Sequence, residues 1–96
     1  MKNNSKEYKK EVIGVLERAG ERKGLMRDFV EDLLTPHEFE NISFRWQIVK
    51  RLAKGEAHDK IAEELRLGIS TVTRGSREMR NKEGGFHKVL KLLKLE

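Results

Sequence analysis

Hydrophobic residues recur along this chain three and four positions apart, and no stretch alternates between apolar and polar as a strand does. The first apolar stripe follows Asn4 and Glu7, whose spacing is typical of a helix start, and it ends at Gly20. Its members are Tyr8, Val12, Val15, Leu16 and Ala19. The second stripe consists of Leu25, Met26, Phe29, Val30, Leu33 and Leu34. Its broad apolar side predicts a helix that needs a partner surface.

The clearest helix start is the segment TPHE at residues 35–38. Thr35 suits the N-cap, Pro36 suits the first helical position because its missing N–H costs nothing there, and Glu38 completes a capping pattern. The apolar stripe then continues without a breaker through Phe39, Ile42, Trp46, Val49, Leu52 and Ala53. The sequence therefore predicts one long helix from Pro36 to Lys54 that stops at Gly55, with Trp46 in the core.

Beyond Gly55 the helical pattern becomes shorter. Ile61, Ala62 and Leu65 suit a helix of about two turns, and Gly68 predicts a tight turn because glycine permits unusual backbone angles. A second short helix carries Ile69, Val72 and Met79, and residues 81–85 break it. A last amphipathic helix contains Phe86, Val89, Leu90, Leu92 and Leu93. These elements predict an all-α fold of about six helices in a single domain.

Charge is unevenly distributed along the chain. The 96 residues include 21 Lys and Arg against 16 Asp and Glu, a net charge of +5, which favours a polyanionic partner. Residues 28–44 hold five acids and no Lys or Arg, whereas residues 66–82 hold five basic residues and one acid. This asymmetry indicates one basic binding face in the C-terminal half.

The basic block coincides with a helix-turn-helix pattern over residues 58–81. Ala62 is small where the two short helices would cross, and Val72 anchors the second helix to the first, together with Ile61, Leu65 and Leu67. The second helix is then a recognition helix. The residues predicted to contact DNA are Lys60, Arg66, Ser70, Thr71, Thr73, Arg74 and Arg77. Two alternatives remain: a solvated corner of a helical bundle, and a protein-interaction module whose basic face docks an acidic partner.

Other function classes find little support in the sequence. The chain has no cysteine, which excludes disulfides and thiolate chemistry, and His37, His58 and His87 have no companions at metal-ligand spacing. No catalytic triad, phosphate loop or pair of carboxylates stands out, so we expect neither an enzyme nor a metal protein. No apolar run approaches membrane-spanning length and the N-terminus does not resemble a signal peptide, so we expect a cytoplasmic protein without a membrane partner.

Two segments resemble a known family. LLTPHEFENISFRWQIVKRLAKGE at residues 33–56 and ISTVTRGS at residues 69–76 resemble the Trp repressor family, and the similarity extends over about residues 29–79. The TRGS string at the recognition helix is specific. The connection from Gly55 to Ile61 is one residue shorter than in the best-known members and is similar to that of YerC/YecD-type Trp repressor-like proteins. Arg66 stands where the family has its usual turn glycine.

The resemblance implies an intertwined, all-helical homodimer that reads a near-palindromic operator in double-stranded DNA. Residues 1–35 would form dimerisation helices, residues 36–55 the long central helix, residues 58–81 the helix-turn-helix and residues 86–96 the C-terminal helix. The hypothesis is thus a transcriptional repressor.

The resemblance also implies a corepressor, L-tryptophan, held between arginines that match Arg45 and Arg74, and no other cofactor. L-Tryptophan or another small, amino-acid-like molecule is therefore the expected effector. The implied effector residues are Leu34, Thr35, Arg45, Arg74, Gly75 and Glu78. Glu78 replaces a serine beside the ligand's amino group, so its carboxylate would either pair with an ammonium or repel the ligand's carboxylate. The alternative for Arg45 is a surface ion pair.

Overall fold

Six α-helices and no strand form the part of the chain that this computed structural model describes, residues 4–96. They are α1 (Ser5–Ala19), α2 (Leu25–Leu33), α3 (Pro36–Ala53), α4 (His58–Leu65), α5 (Ile69–Glu78) and α6 (Gly85–Leu92). The predicted all-α class with six helices is confirmed. The chain divides into two compact units, the first ending at Phe39 and the second comprising Glu40–Glu96.

The first unit has almost no core of its own. Helix α1 packs against α2, yet Ala19 is the one buried residue of α1 and α2 has none. Large apolar side chains stay exposed on both helices, including Tyr8 (64%) and Leu33 (47%). The predicted helix start is half right: Asn4 occupies the N-cap but makes no side-chain capping bond, because its backbone (φ −97°, ψ 18°) is not extended as capping requires.

The start of α3 forms the predicted capping box. The Thr35 N–H donates to Glu38 Oε1 at 2.8 Å, and the Glu38 N–H donates to Thr35 Oγ1 at 3.1 Å. The bond from the Thr35 N–H stabilises the ionised carboxylate and keeps the pKa of Glu38 below its usual value. The helix ends at Ala53, one residue before the predicted end, and Gly55 (φ 85°) then adopts the left-handed conformation.

The core of the second unit joins α3, α4 and α5. Ile48, Ile61, Ala62 and Val72 form a buried cluster in which Ile61 and Val72 have no accessible surface. Leu52, Leu65 and Leu67 pack against this cluster, as predicted for Leu65 and Leu67. Burying each large apolar side chain contributes on the order of 2 kcal/mol, so the cluster fixes the position of α5. Trp46 is only half-buried, so the prediction that it lies in the core is only partly confirmed.

An ion-pair network links the end of α3 to α4. The Arg51 guanidinium pairs with the Glu56 carboxylate at 3.7 Å and with the Glu64 carboxylate, and its side chain is about three-quarters buried. Partial burial reduces solvent screening of these charges. The network therefore supports the same helix arrangement as the apolar cluster.

The turn between α4 and α5 differs from the prediction in one respect. Gly68 has ordinary extended angles (φ −68°, ψ 146°), and Arg66 adopts the left-handed conformation (φ 57°, ψ 45°). A left-handed residue directly after α4 reverses the chain. The Leu67 N–H can then donate to the Ala62 carbonyl at 2.9 Å, and the Leu67 side chain packs against the core. The turn thus depends on the left-handed conformation of Arg66.

Candidate nucleic-acid interface and adjoining cavity

Helix α5 presents two different surfaces. Val72 and Gly75 are buried and hold the helix to the core, while the opposite side is exposed. Ser70, Thr73 and Arg77 recur at helical spacing and share one outward face. All the residues predicted to contact DNA are exposed: Lys60, Arg66, Ser70, Thr71, Thr73, Arg74 and Arg77.

The cationic groups of this surface are not neutralised within the part of the chain that the structure describes. Among residues 4–96, no ion pair within 4 Å involves Arg66, Arg74 or Arg77. A guanidinium with its five donors can bind a phosphate or a base edge. The exposed side of α5 therefore combines hydroxyl groups with guanidinium groups that have no acidic partner in the described chain.

A cavity of about 520 Å³ adjoins α5 within the second unit, a size typical of small-molecule sites. Its apolar lining is Phe44, Ile48, Leu67 and Phe86. Its charged and amide lining is Asn41, Arg45, Arg74 and Glu78. Thr71 and Gly75 complete the wall that α5 contributes. An apolar wall beside charges of both signs suits a zwitterion with an apolar side chain.

Gly75 lets α5 approach α3 closely at this cavity. A Cβ added at Gly75 would lie 2.8 Å from Ile48 Cγ2, a distance that real side chains do not tolerate. Any larger residue would therefore force Ile48 or α5 itself to shift. Gly75 belongs to the predicted effector set, and its contribution is space rather than a polar contact.

The structure brings four of the predicted effector residues together: Arg45, Arg74, Gly75 and Glu78 line the same cavity. Glu78 forms no ion pair within 4 Å with Arg45 or Arg74. No ion pair among residues 4–96 involves Arg45, so the alternative that Arg45 is a surface ion-pair partner finds no support there. Leu34 and Thr35 belong to the first unit, and their assignment to an effector site stays a prediction.

Sequence reasoning missed several lining residues. Asn41, Phe44 and Ile48 lie three or four positions from one another on α3 beside Arg45, so helical spacing was a usable signal. Phe86 follows a loop whose path no local pattern predicts. Within residues 4–96, no group of three or more His, Asp or Glu residues could hold a metal ion.

Comparison with known proteins identifies the family. The family model described as Trp repressor protein matches residues 10–94. The chain belongs to the Trp repressor protein family. This match includes α3, α4, α5 and α6 in full, so both the exposed side of α5 and the cavity lie within it.

Three relatives, each named a Trp operon repressor homolog, show similarity over part of their length. The one from Vibrio parahaemolyticus serotype O3:K6 is 42% identical over 62 residues, 64% of this chain and 60% of the relative. The one from Vibrio campbellii is 40% identical over 62 residues, 64% of this chain and 62% of the relative. The one from Vibrio vulnificus strain YJ016 is 45% identical over 51 residues, 52% of this chain and 50% of the relative. This Trp repressor family member thus covers between half and two thirds of these relatives.

No helix among residues 4–96 is long and apolar enough to cross a membrane.

We predict that Gly75→Ala destabilises the protein by about 1–3 kcal/mol because its Cβ overpacks against Ile48 Cγ2. In an unhindered helix the same change stabilises by up to about 1 kcal/mol. Urea denaturation at one fixed protein concentration measures the difference.

Gly85→Ala is the matched control, because Gly85 is also helical and nothing lies within 4 Å of its added Cβ. Ile48→Leu removes the Cγ2 methyl and should reduce the cost of Gly75→Ala in the double variant. Equal effects of Gly75→Ala and Gly85→Ala would contradict the close approach of α5 to α3.

Proposed function

We propose that this protein is a transcriptional repressor that binds double-stranded DNA in a sequence-specific manner, with α5 as its recognition helix. The observation that carries this proposal is the fixed position of α5: Val72 has no accessible surface, while Ser70, Thr73 and Arg77 project from the opposite side. A recognition helix needs a rigid attachment to the domain and an exposed polar face that fits the major groove. The names of the relatives agree with this role.

Electrostatics supports a nucleic-acid partner for this surface. Lys60, Arg66 and Arg77 are exposed cations on α4, the turn and α5. Contacts with phosphates position such a domain on the duplex, and contacts with base edges select the sequence. We assign Lys60 and Arg66 to phosphates, and the hydroxyl and guanidinium groups of the outward face of α5 to bases.

We predict that Thr73→Ala weakens binding to a selected duplex by roughly 1 kcal/mol or more while leaving binding to random duplexes nearly unchanged. Lys60→Ala should weaken binding to all duplexes similarly. It should also make the negative slope of log affinity against log salt shallower by about one. Fluorescence anisotropy of labelled duplexes at several salt concentrations measures both quantities.

Thr73 is preferable to Thr71 for this test because Thr71 also lines the cavity. Equal loss of specific and non-specific binding in Thr73→Ala would contradict a base-reading role. If the wild-type protein binds all duplexes equally, the protein-interaction module becomes the better account of the basic face.

We further propose that the functional form is a homodimer. The first unit buries only Ala19 along α1 and α2, although Val15 and Leu25 are each 42% exposed and Tyr8 and Leu33 more so. A helical unit with so small a core needs another apolar surface. A second copy supplies one by symmetry and would place two recognition helices on one duplex. Leu92 on α6, 78% exposed, offers a further apolar contact.

We predict that sedimentation at micromolar protein gives twice the mass of one chain. Val15→Glu should shift the protein towards the monomer, because it places a charge on the apolar side of α1 at a residue that is 42% exposed in the single chain. Glu17→Lys, an exposed position on the other side of α1, is the control and should remain dimeric. A stable wild-type monomer would contradict the proposed assembly.

We propose a small amino acid with an apolar side chain, L-tryptophan first, as the effector of the cavity. Arg45 and Arg74 offer guanidinium groups to a carboxylate, and Glu78 offers a carboxylate to an ammonium group. Phe44 and Phe86 provide aromatic surface for the side chain. Because Thr71 and Arg74 belong to both the cavity and the exposed side of α5, an occupant would act directly on DNA-contacting groups.

We predict that Arg45→Gln weakens L-tryptophan binding by roughly tenfold or more in isothermal titration calorimetry, because a charge-assisted bond to the carboxylate is lost. Glu78→Gln should also weaken it by removing the partner of the ammonium. Lys54→Gln, an exposed cation that does not line the cavity, is the control. Absence of wild-type binding at millimolar L-tryptophan would contradict this effector and leave the DNA proposal standing.

A further inference from the structure

His87 is a buried histidine whose two ring nitrogens both face oxygen atoms. It lies on α6 with 7% of its surface exposed. Its Nε2 lies 2.7 Å from the carbonyl oxygen of Met79, and its Nδ1 is hydrogen-bonded to Glu96 Oε1. A neutral imidazole has one N–H and can donate to only one of these oxygens, whereas the imidazolium donates to both. The surroundings of His87 therefore match its protonated form.

The hydrogen bond to the Met79 carbonyl connects His87 to the end of α5. Met79 directly follows Glu78, the last residue of the proposed recognition helix, and its carbonyl belongs to the negative end of the helix dipole. A cation is favourable at that end. The contact therefore fastens α6 to the end of α5. It also lies beside the cavity, because Phe86, the residue directly before His87, contributes to the cavity wall.

Local backbone structure places Glu96 opposite His87. Lys94 adopts the left-handed conformation (φ 58°), and the Leu95 N–H donates to the Leu90 carbonyl at 2.8 Å. This helix-ending motif reverses the chain and returns Glu96 towards the preceding helix. The carboxylate thus reaches the ring through a defined turn.

The charged groups around the ring are Glu96 and Lys82. The Met79 carbonyl and, after it, the Glu96 carboxylate raise the pKa of His87 above its ordinary 6.5, while burial and, more weakly, Lys82 oppose them. Because the pKa is raised in the folded state, the resulting stability is complete below about pH 6.5 and is lost as pH rises through the raised pKa. The contact is therefore expected to weaken as pH rises through this raised pKa.

We propose that His87 is a positioning residue which, in its protonated form, clamps α6 to the carbonyl end of α5 and makes DNA binding depend on pH. This inference rests on the proposed DNA-binding function of α5. Deprotonation removes one of the two donated hydrogen bonds and the attraction to Glu96. The end of the recognition helix and the Phe86 side of the cavity are then held less firmly, and affinity for DNA falls as pH rises.

The first part of the test needs no DNA. NMR titration of the His87 imidazole should give a pKa above the ordinary 6.5. Glu96→Gln should lower the His87 pKa, because an amide lacks the negative charge that stabilises the imidazolium. A His87 pKa at or below 6.5, or one that Glu96→Gln leaves unchanged, would overturn the clamp whatever the protein binds.

The second part couples the clamp to DNA. Anisotropy between pH 6 and 9 at constant salt should show a selected duplex binding roughly fivefold or more weakly at the high end. Glu96→Gln should move the midpoint of this change to lower pH, and His58→Gln should not. By linkage, the bound duplex should also raise the His87 pKa.

Two results with DNA would distinguish failure of the pH coupling from failure of the proposed DNA-binding function. Affinity that stays constant while His87 titrates, or a His87 pKa that DNA does not change, would overturn the coupling while the DNA proposal stands. If no duplex is bound at any pH, the proposed function fails and the coupling with it, whereas the NMR titration still decides the clamp.

Discussion

The burial of Val72 between α3 and α4 is the constraint on which the rest of the second unit depends. Val72 and Ile61 have no accessible surface, and Ile48 contacts them from the long helix. A helix of only ten residues is marginal by itself, so α5 owes its place to this packing rather than to helix propensity. Gly75 adds the requirement that α5 lie directly against α3, because no side chain fits between it and Ile48.

In this fixed placement, α5 has two chemically distinct sides. The outward side of α5 presents hydroxyl and guanidinium groups, and the adjacent side forms a wall of the cavity. Arg74 belongs to both sides, so a ligand that engages its guanidinium in the cavity would withdraw or reorient a group that we propose contacts DNA. In the proposed repressor, effector and DNA are therefore coupled through shared side chains, without a long path between two sites.

Local patterns predicted much of the fold and part of the site. The capping box at Thr35 and Glu38 and the pairing of Val72 with Ile61 follow from residue types at fixed spacing, and both are present. The sequence predicts unusual backbone angles at Gly68, whereas the left-handed residue is Arg66, at the position that the end of α4 requires. Residue type alone does not reveal where a helix must stop.

Long-range contacts were beyond sequence reasoning. Phe86 reaches the cavity only after the chain has crossed residues 79–84, and no periodicity encodes that path. The sequence shows only that His87 has no other metal-binding residues at ligand spacing. Its partners in the structure are the backbone carbonyl of Met79 and the carboxylate of Glu96, nine residues away. Such contacts depend on how separate helices meet, which one chain's hydropathy pattern does not specify.

The most direct test of the account is selection of bound duplexes from a random DNA pool at fixed, near-physiological salt, with and without L-tryptophan. The account predicts enrichment of an inverted repeat with half-sites about one helical turn apart, because two copies would each insert one α5 into the major groove. Failure to enrich any sequence in either condition would contradict the central claim that α5 reads DNA.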